Sequence, residues 1–174
     1  EVTSVDNANV LESSQFWRDQ VSKIHSKYPY IVLNDMLADN AAMQLVRDPR
    51  QFDVILTQNL FGDILSDITA MITGSLGMLP SASIGSKHAM YEPVHGTAPE
   101  IAGKNIANPI AMIASLSMML EFTFKDTKTS QELDRSNAQV LNDGMRTQDI
   151  AQVGDNVLKT LEMAQAIIDV FLSF

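Results

Sequence analysis

Apolar residues recur along this chain with two different spacings. Between residues 10 and 27 they fall at Val10, Leu11, Phe16, Trp17, Val21 and Ile24, near the period of one helix face, and Pro29 follows the stop. Tyr30-Ile31-Val32-Leu33 is a continuous apolar run that predicts a short buried strand. A second helix is expected over 40–46, with Asp39 or Asn40 near its start and Pro49 beyond its end. Phe52-Asp53-Val54-Ile55-Leu56-Thr57 predicts another strand, and 62–72 a further helix bounded by Gly74. This alternation predicts an α/β protein with at least partly parallel strands.

Residues 74–108 break the rhythm. They hold five of the eight glycines together with Pro80, Pro93 and Pro99, and Pro109 lies just past the end, so loops should dominate there. Helices resume over 109–122, about 130–141 and 157–171. Asn108 suits an N-cap, and Pro109 suits the first helical position, where its missing N–H costs nothing. The run 110–120 is apolar on nearly every face and is expected to be fully buried. No internal repeat or low-complexity tract is present.

Composition narrows the function. With 174 residues, 45% hydrophobic and 19% charged, the chain can build a sizeable core and is neither disordered nor fibrous. Twelve Lys+Arg against 21 Asp+Glu give a net charge of −9, which argues against sequence-independent nucleic-acid binding or an anionic membrane surface. The absence of cysteine excludes disulfide, zinc-thiolate and cysteine-nucleophile chemistry and fits a reducing compartment. No apolar stretch approaches the roughly 20 residues of a membrane span. The start, Glu1-Val2-Thr3-Ser4-Val5-Asp6, has neither a signal peptide's charged n-region nor a Met, so the chain is expected to begin inside a longer one.

Three features carry candidate chemistry. Asp63 and Asp67 lie four apart and share a helix face, where like charges repel unless a divalent cation joins them. The plainer alternative places both at a helix start, favoured by the macrodipole. Asp39 is either an N-cap or a third carboxylate for the same purpose. The third feature is the loop running from Glu92 through His95-Gly96-Thr97-Ala98-Pro99-Glu100-Ile101-Ala102-Gly103-Lys104-Asn105-Ile106-Ala107-Asn108. A loop this long with a Pro/Gly skeleton is usually functional. Its amides could wrap a nucleotide, and Glu100 could accept bonds from two ribose hydroxyls and repel a 2′-phosphate. It could equally be an ordered surface loop in which His95 makes a routine hydrogen bond. The glycines never form G-x-G-x-x-G, so a Rossmann site is not indicated.

Taken together these segments resemble the β-decarboxylating dehydrogenases of the isocitrate/isopropylmalate dehydrogenase family. The resemblance rests on Ser4-Val5-Asp6-x-Ala8-Asn9-Val10-Leu11-Glu12, on Asp39 to Val46, on Gln51-Phe52-Asp53-Val54, and on Asn59-Leu60-Phe61-Gly62-Asp63-Ile64-Leu65-Ser66-Asp67. It continues through Gly74-Ser75-Leu76-Gly77-Met78-Leu79-Pro80-Ser81-Ala82-Ser83, which looks like the isopropylmalate branch, and through the loop ending at Asn108. It implies a non-Rossmann α/β/α fold, with 1–73 in a metal-binding and dimerisation domain and 74–174 in the C-terminal part of an NAD-binding domain. It also implies oxidative decarboxylation of 3-isopropylmalate with NAD⁺. Mg²⁺ or Mn²⁺ would sit on Asp63 and Asp67, with the Asp39 equivalent coming from the partner of a homodimer. By the same resemblance, His95 to Asn108 would hold the adenosine side of NAD, with Glu100 where relatives commonly carry Asp. Asn9 would contact substrate or nicotinamide across the dimer.

Two departures from the family pattern stand out. Relatives typically read Asp-Lys-(Ala/Ser)-Asn, the lysine being the general base; here the position is Asn7, an amide that accepts no proton near neutral pH. Relatives are also about twice this length, so a C-terminal half is expected, its substrate pocket completed by a first half or a partner chain. A non-catalytic or regulatory subunit that has lost the base at Asn7 is the alternative. The expected location is the cytoplasm of a bacterium, or a plastid or mitochondrion in a eukaryote.

Overall fold

The computed structural model describes residues 1–174. The chain divides into two units, Glu1–Ile72 and Thr73–Phe174. At the centre of the first lies β1 (Val2–Asp6), a strand that the apolar pattern does not announce. Only Val2 and Val5 of its five residues are apolar, yet Thr3, Ser4 and Asp6 are buried with Val5. It pairs in parallel with β2 (Leu33–Leu37), from Val2↔Leu33 to Asp6↔Leu37, and with β3 (Val54–Thr57), from Val2↔Val54 to Val5↔Thr57. The sheet order is β2-β1-β3. Parallel neighbours need crossovers, supplied by α1 (Glu12–His25) and α2 (Ala38–Arg47).

The strand expected at 30–33 lies further along. Pro29 favours a turn, closed by the Ile31 N–H donating to the Tyr28 carbonyl at 3.0 Å, and Tyr30 and Val32 are 79% and 60% exposed. The strand is instead Leu33-Asn34-Asp35-Met36-Leu37, whose polar positions are tolerated because β2 is an edge. α3 (Asn59–Thr73) begins three residues earlier than its apolar pattern suggested. Val5, Ala41, Leu45 and Leu65 form the buried core, flanked by Phe52, Ile55 and Ile68.

In the second unit the supposed loop region contains a hairpin, β4 (Pro80–Ile84) with β5 (Ala89–Pro93), paired antiparallel from Pro80↔Pro93 to Ile84↔Ala89. The prolines that read as breakers occupy its outermost pair, where a lost N–H is tolerated. Three helices follow, α4 (Ile110–Phe122), α5 (Thr127–Asn142) and α6 (Thr160–Phe171); between the last two, β6 (Met145–Arg146) pairs in parallel with β7 (Asn156–Val157). Ile110, Leu133, Val140, Met163 and Ile167 make the core.

α4 is not buried all round as its composition implied. Its small residues Ala111, Ser115 and Ser117 are buried, and the Ser117 hydroxyl meets Ser130 Oγ of α5 at 2.9 Å. Met112 and Leu116, one turn apart on another face, are 57% and 44% exposed. No helix is long and apolar enough to cross a membrane.

Candidate functional site

The loop between β5 and α4 is held at its far end by two asparagines. Asn105, at φ 56°, caps α6: its carbonyl accepts the Thr160 N–H at 3.1 Å and its Oδ1 the Leu161 N–H at 3.1 Å. The Thr160 hydroxyl returns a bond to the Ala107 carbonyl at 2.6 Å. Asn108 caps α4, its Oδ1 accepting the Ile110 N–H at 3.0 Å. These bonds satisfy first-turn amides that have no partner inside the helix. The Asn108 Nδ2 is also committed, to Asp149 Oδ2 at 3.1 Å and to Met78 Sδ at 3.4 Å.

Within this frame lies a cleft of about 780 Å³. Its walls are Ser75-Leu76-Gly77, most of the loop from His95 to Asn108, Asp149, and Thr160-Leu161 at the start of α6. Ala98, Gly103 and Asn105 all take positive φ, so the loop curls repeatedly as it passes the cleft. His95 Nδ1 lies 2.8 Å from the Gly96 carbonyl; since a carbonyl only accepts, Nδ1 is the donor. Pro99, Glu100 and Lys104 belong to the loop but do not line the cleft. Glu100, the expected ribose acceptor, is exposed on the 3-10 turn Pro99–Ile101.

The carboxylate that does line the cleft is Asp149. Burial alone would raise its carboxyl; the hydroxyls of Ser75 and Thr147 and the amide of Asn108 outweigh that and hold it below the usual carboxylate range. The Thr147 hydroxyl, fully buried, contributes by proximity, because its geometry falls short of a hydrogen bond. Gly77 is demanded by the same cluster: a Cβ there would stand 2.8 Å from Asn108 Cβ and 3.0 Å from Asp149 Oδ2.

The first unit arranges its candidates differently. Asp6, wholly buried at the end of β1, accepts a two-pronged bond from Arg18 of α1, Nε to Oδ2 at 2.9 Å and Nη2 to Oδ1 at 2.7 Å. Its Oδ1 also takes the Ala8 N–H at 2.9 Å, fixing the turn that carries Asn7 and Asn9. The Asn7 carbonyl accepts from Val10 and Leu11, at 3.0 and 2.9 Å. Asn7 is half-buried and Asn9 exposed.

Asp63 and Asp67 are exposed on α3, and Asp63 Oδ2 accepts the Asn59 amide at 2.9 Å. Because α3 begins at Asn59, both aspartates lie beyond its first turn, where the macrodipole has little effect; the helix-start reading of the pair is therefore overturned. Asp39 is exposed inside the first turn of α2 rather than at its N-cap, which is Leu37, and its Oδ1 takes the Asn40 N–H at 2.8 Å. No three His, Asp or Glu side chains come together in a way that could hold a metal ion.

Residues 1–167 match the family model for isocitrate/isopropylmalate dehydrogenase. The chain belongs to that family. It is 60% identical over 167 residues to the 3-isopropylmalate dehydrogenase of Chlorobium chlorochromatii (strain CaD3), covering 96% of this chain and 47% of that protein. Against the 3-isopropylmalate dehydrogenase of Clostridium acetobutylicum the identity is 52% over 168 residues, again 47% of the relative. The chain thus spans about half the length of the curated relatives it matches. A crystal structure of isocitrate dehydrogenase from Methylococcus capsulatus superposes with a TM-score of 0.92 at 41% identity, over 98% of this chain and 50% of that one. The α/β fold expected of an isocitrate/isopropylmalate dehydrogenase is therefore the fold observed.

Inspection of the sequence missed Asp149, Thr160 and Leu161 as cleft residues. Asp149 sits in Thr147-Gln148-Asp149-Ile150, which has no motif spacing, and its place in the cleft depends on contacts 41 residues away in the chain. Thr160 and Leu161 read only as a helix start.

Proposed function

We propose that this chain supplies the nucleotide cleft, and part of the metal and substrate site, of an NAD-dependent 3-isopropylmalate dehydrogenase of leucine biosynthesis. The observation that carries the reading is the cleft of about 780 Å³ built by the His95–Asn108 loop. That volume is in the range of small-molecule and cofactor pockets, roughly 300–1,000 Å³. Positive φ at Ala98, Gly103 and Asn105 turns the loop backbone repeatedly along the cleft, a geometry in which amides can meet an anionic dinucleotide. NAD⁺, when bound, supplies the hydride acceptor.

Asp63 and Asp67 would hold Mg²⁺ or Mn²⁺, hard cations that suit an all-oxygen donor set. The metal, when bound, acidifies the substrate's alcohol and stabilises the charge left as CO₂ departs. By the family resemblance, the third acidic ligand, Asp39, would be delivered from the second copy of a homodimer. The Asp6–Arg18 pair presets the turn bearing Asn7 and Asn9, from which Asn9 would orient substrate or nicotinamide. Asn7 can donate or accept a hydrogen bond there but cannot take the alcohol proton. That single residue supports a second reading, a non-catalytic or regulatory subunit. By the same resemblance, the expected setting is the cytoplasm of a bacterium.

The test is NADH formation from 3-isopropylmalate with Mn²⁺, by this chain combined with the first half of the Chlorobium chlorochromatii relative. Turnover is expected, slow while Asn7 is present. Absence of NADH both from that mixture and from one carrying Asn7→Lys would sink the dehydrogenase reading.

A further inference from the structure

Asp149 and Asn108 bring together three chain segments that are far apart in sequence and all line the cleft. Asn108 closes the loop and caps α4, the 75–77 segment packs against both residues at Gly77, and Asp149 arrives from beyond α5. Both N–H groups of the Asn108 side chain are directed at the protein, to Asp149 and Met78, and its Oδ1 accepts from Ile110. The Asn108 side chain is thus tied at both ends, and those bonds set where its backbone stands. Asp149 supplies the acceptor that holds the amide in this orientation, since a flipped amide would set its oxygen against the carboxylate and withdraw the cap from Ile110.

We propose that Asp149 is the positioning residue of the cleft, acting through Asn108 to lock the loop against the 75–77 segment so that the loop backbone is preorganised for a dinucleotide. The inference rests on reading the cleft as a nucleotide site. Asp149 need not touch the ligand; preorganisation removes the ordering cost that a loose loop would charge against binding.

The chemistry of the pair gives an exchange experiment. NAD⁺ is titrated into the full 174-residue chain and into Asn108→Asp, Asp149→Asn and the double exchange. Circular dichroism and thermal unfolding establish the folded fraction of each. Asn108→Asp sets two carboxylates face to face and is expected to weaken NAD⁺ binding by about tenfold or more. Asp149→Asn, which keeps one acceptor oxygen, should weaken it by about threefold. The double exchange restores an amide–carboxylate pair with its direction reversed, and Asp at 108 still caps Ile110, so affinity should return to within about threefold of the wild type.

A pH series adds a readout that a general packing defect would not move. As pH falls, one of the two facing carboxyls in Asn108→Asp takes a proton and becomes a donor to the other, so its affinity should recover toward that of the double exchange. His95, the remaining titratable group lining the cleft, is common to both variants and cancels in their comparison. The positioning role is overturned if folded Asn108→Asp binds like wild type, or if the folded double exchange binds no better than Asn108→Asp. Should Asn108→Asp fail to fold, the folded double exchange decides alone: binding near wild type upholds the pair, and loss of binding overturns it. If wild-type chain fails to bind NAD⁺ at millimolar concentration, the nucleotide reading itself falls, and this proposal with it.

Discussion

In the unit Thr73–Phe174, Asn105, Asn108 and Asp149 bond to helix starts, to each other and to the backbone, and they frame a cleft lined by residues of that unit. In the unit Glu1–Ile72, Asp39, Asp63 and Asp67 stand exposed and are not gathered into a cluster. On the function proposed above, the contrast follows from what each site would recognise. A dinucleotide is met largely by backbone amides, which must be preset, and helix caps and left-handed residues preset them with local bonds. On the proposed reading, Asp63 and Asp67 are like charges that repel until a cation joins them, and this unit presets no third carboxylate beside them. Asn7 sharpens the contrast, because the turn that bears it is as firmly built as the cleft, by the buried Asp6–Arg18 pair, yet the amide there cannot take a proton.

The strongest way to probe that difference is Asn7→Lys in the complemented dehydrogenase. Restoring a general base is expected to raise turnover by about 10²- to 10⁴-fold. NAD⁺ affinity, which on the proposed reading is set mainly by the cleft of the other unit, should change far less in the same preparation. A rise in affinity alongside turnover would break the separation drawn here. Next in size is Gly77→Ala. Its Cβ would meet Asn108 Cβ at 2.8 Å, the root of a side chain tied at both ends by hydrogen bonds, and the expected cost is about 1–3 kcal/mol of stability. Denaturant unfolding measures it, and NAD⁺ affinity should fall with it because the clash is at the cleft wall.

How much of this was legible in the sequence depends on where the deciding contacts lie. The βα alternation, the His95–Asn108 loop and the Asp63/Asp67 spacing are local patterns and could be read directly. β1 could not, because Thr3, Ser4 and Asp6 are buried by neighbours on both sides, and only the assembled sheet makes such a polar strand central. The β4–β5 hairpin was hidden by prolines, which read as breakers until pairing shows them at the ladder's end. Among site residues, Glu100 had the right chemistry but stands outside the cleft lining, whereas Asp149 carried no sequence signal and lies within it. Spacing reveals which side chains could share a face; it does not reveal which carboxylate a fold brings back to a distant loop.

Acid should separate the two units more gently. The Asp149 carboxyl is held low in the folded chain by Ser75, Thr147 and Asn108, against burial that would raise it. A carboxyl with a lowered folded pKa adds stability that is present above the unfolded value, near 3.9, and is lost as pH falls through the folded one. Unfolding midpoints measured between neutral pH and pH 3 should therefore show a steeper acid loss for wild type than for Asp149→Asn. Equal slopes would mean that the carboxylate contributes nothing to holding the cleft.

The smallest effect expected is Asp67→Asn, and it has the opposite sign. Asp63 and Asp67 are exposed one turn apart on α3, a like-charge pair that destabilises a helix by a few tenths of a kcal/mol. Neutralising one should therefore stabilise the metal-free chain by about 0.2–0.5 kcal/mol, less at high salt, where exposed charges are screened. A carboxylate kept for structure would behave in the reverse way, because its loss would remove a bond. Asp63 accepts the Asn59 amide, whereas no hydrogen bond or ion pair is made by Asp67, so Asp67 is the cleaner member to replace. Stabilisation on its removal would mark the pair as one kept despite its repulsion, which is what a ligand set awaiting its cation requires; destabilisation would return the pair to an ordinary helix surface.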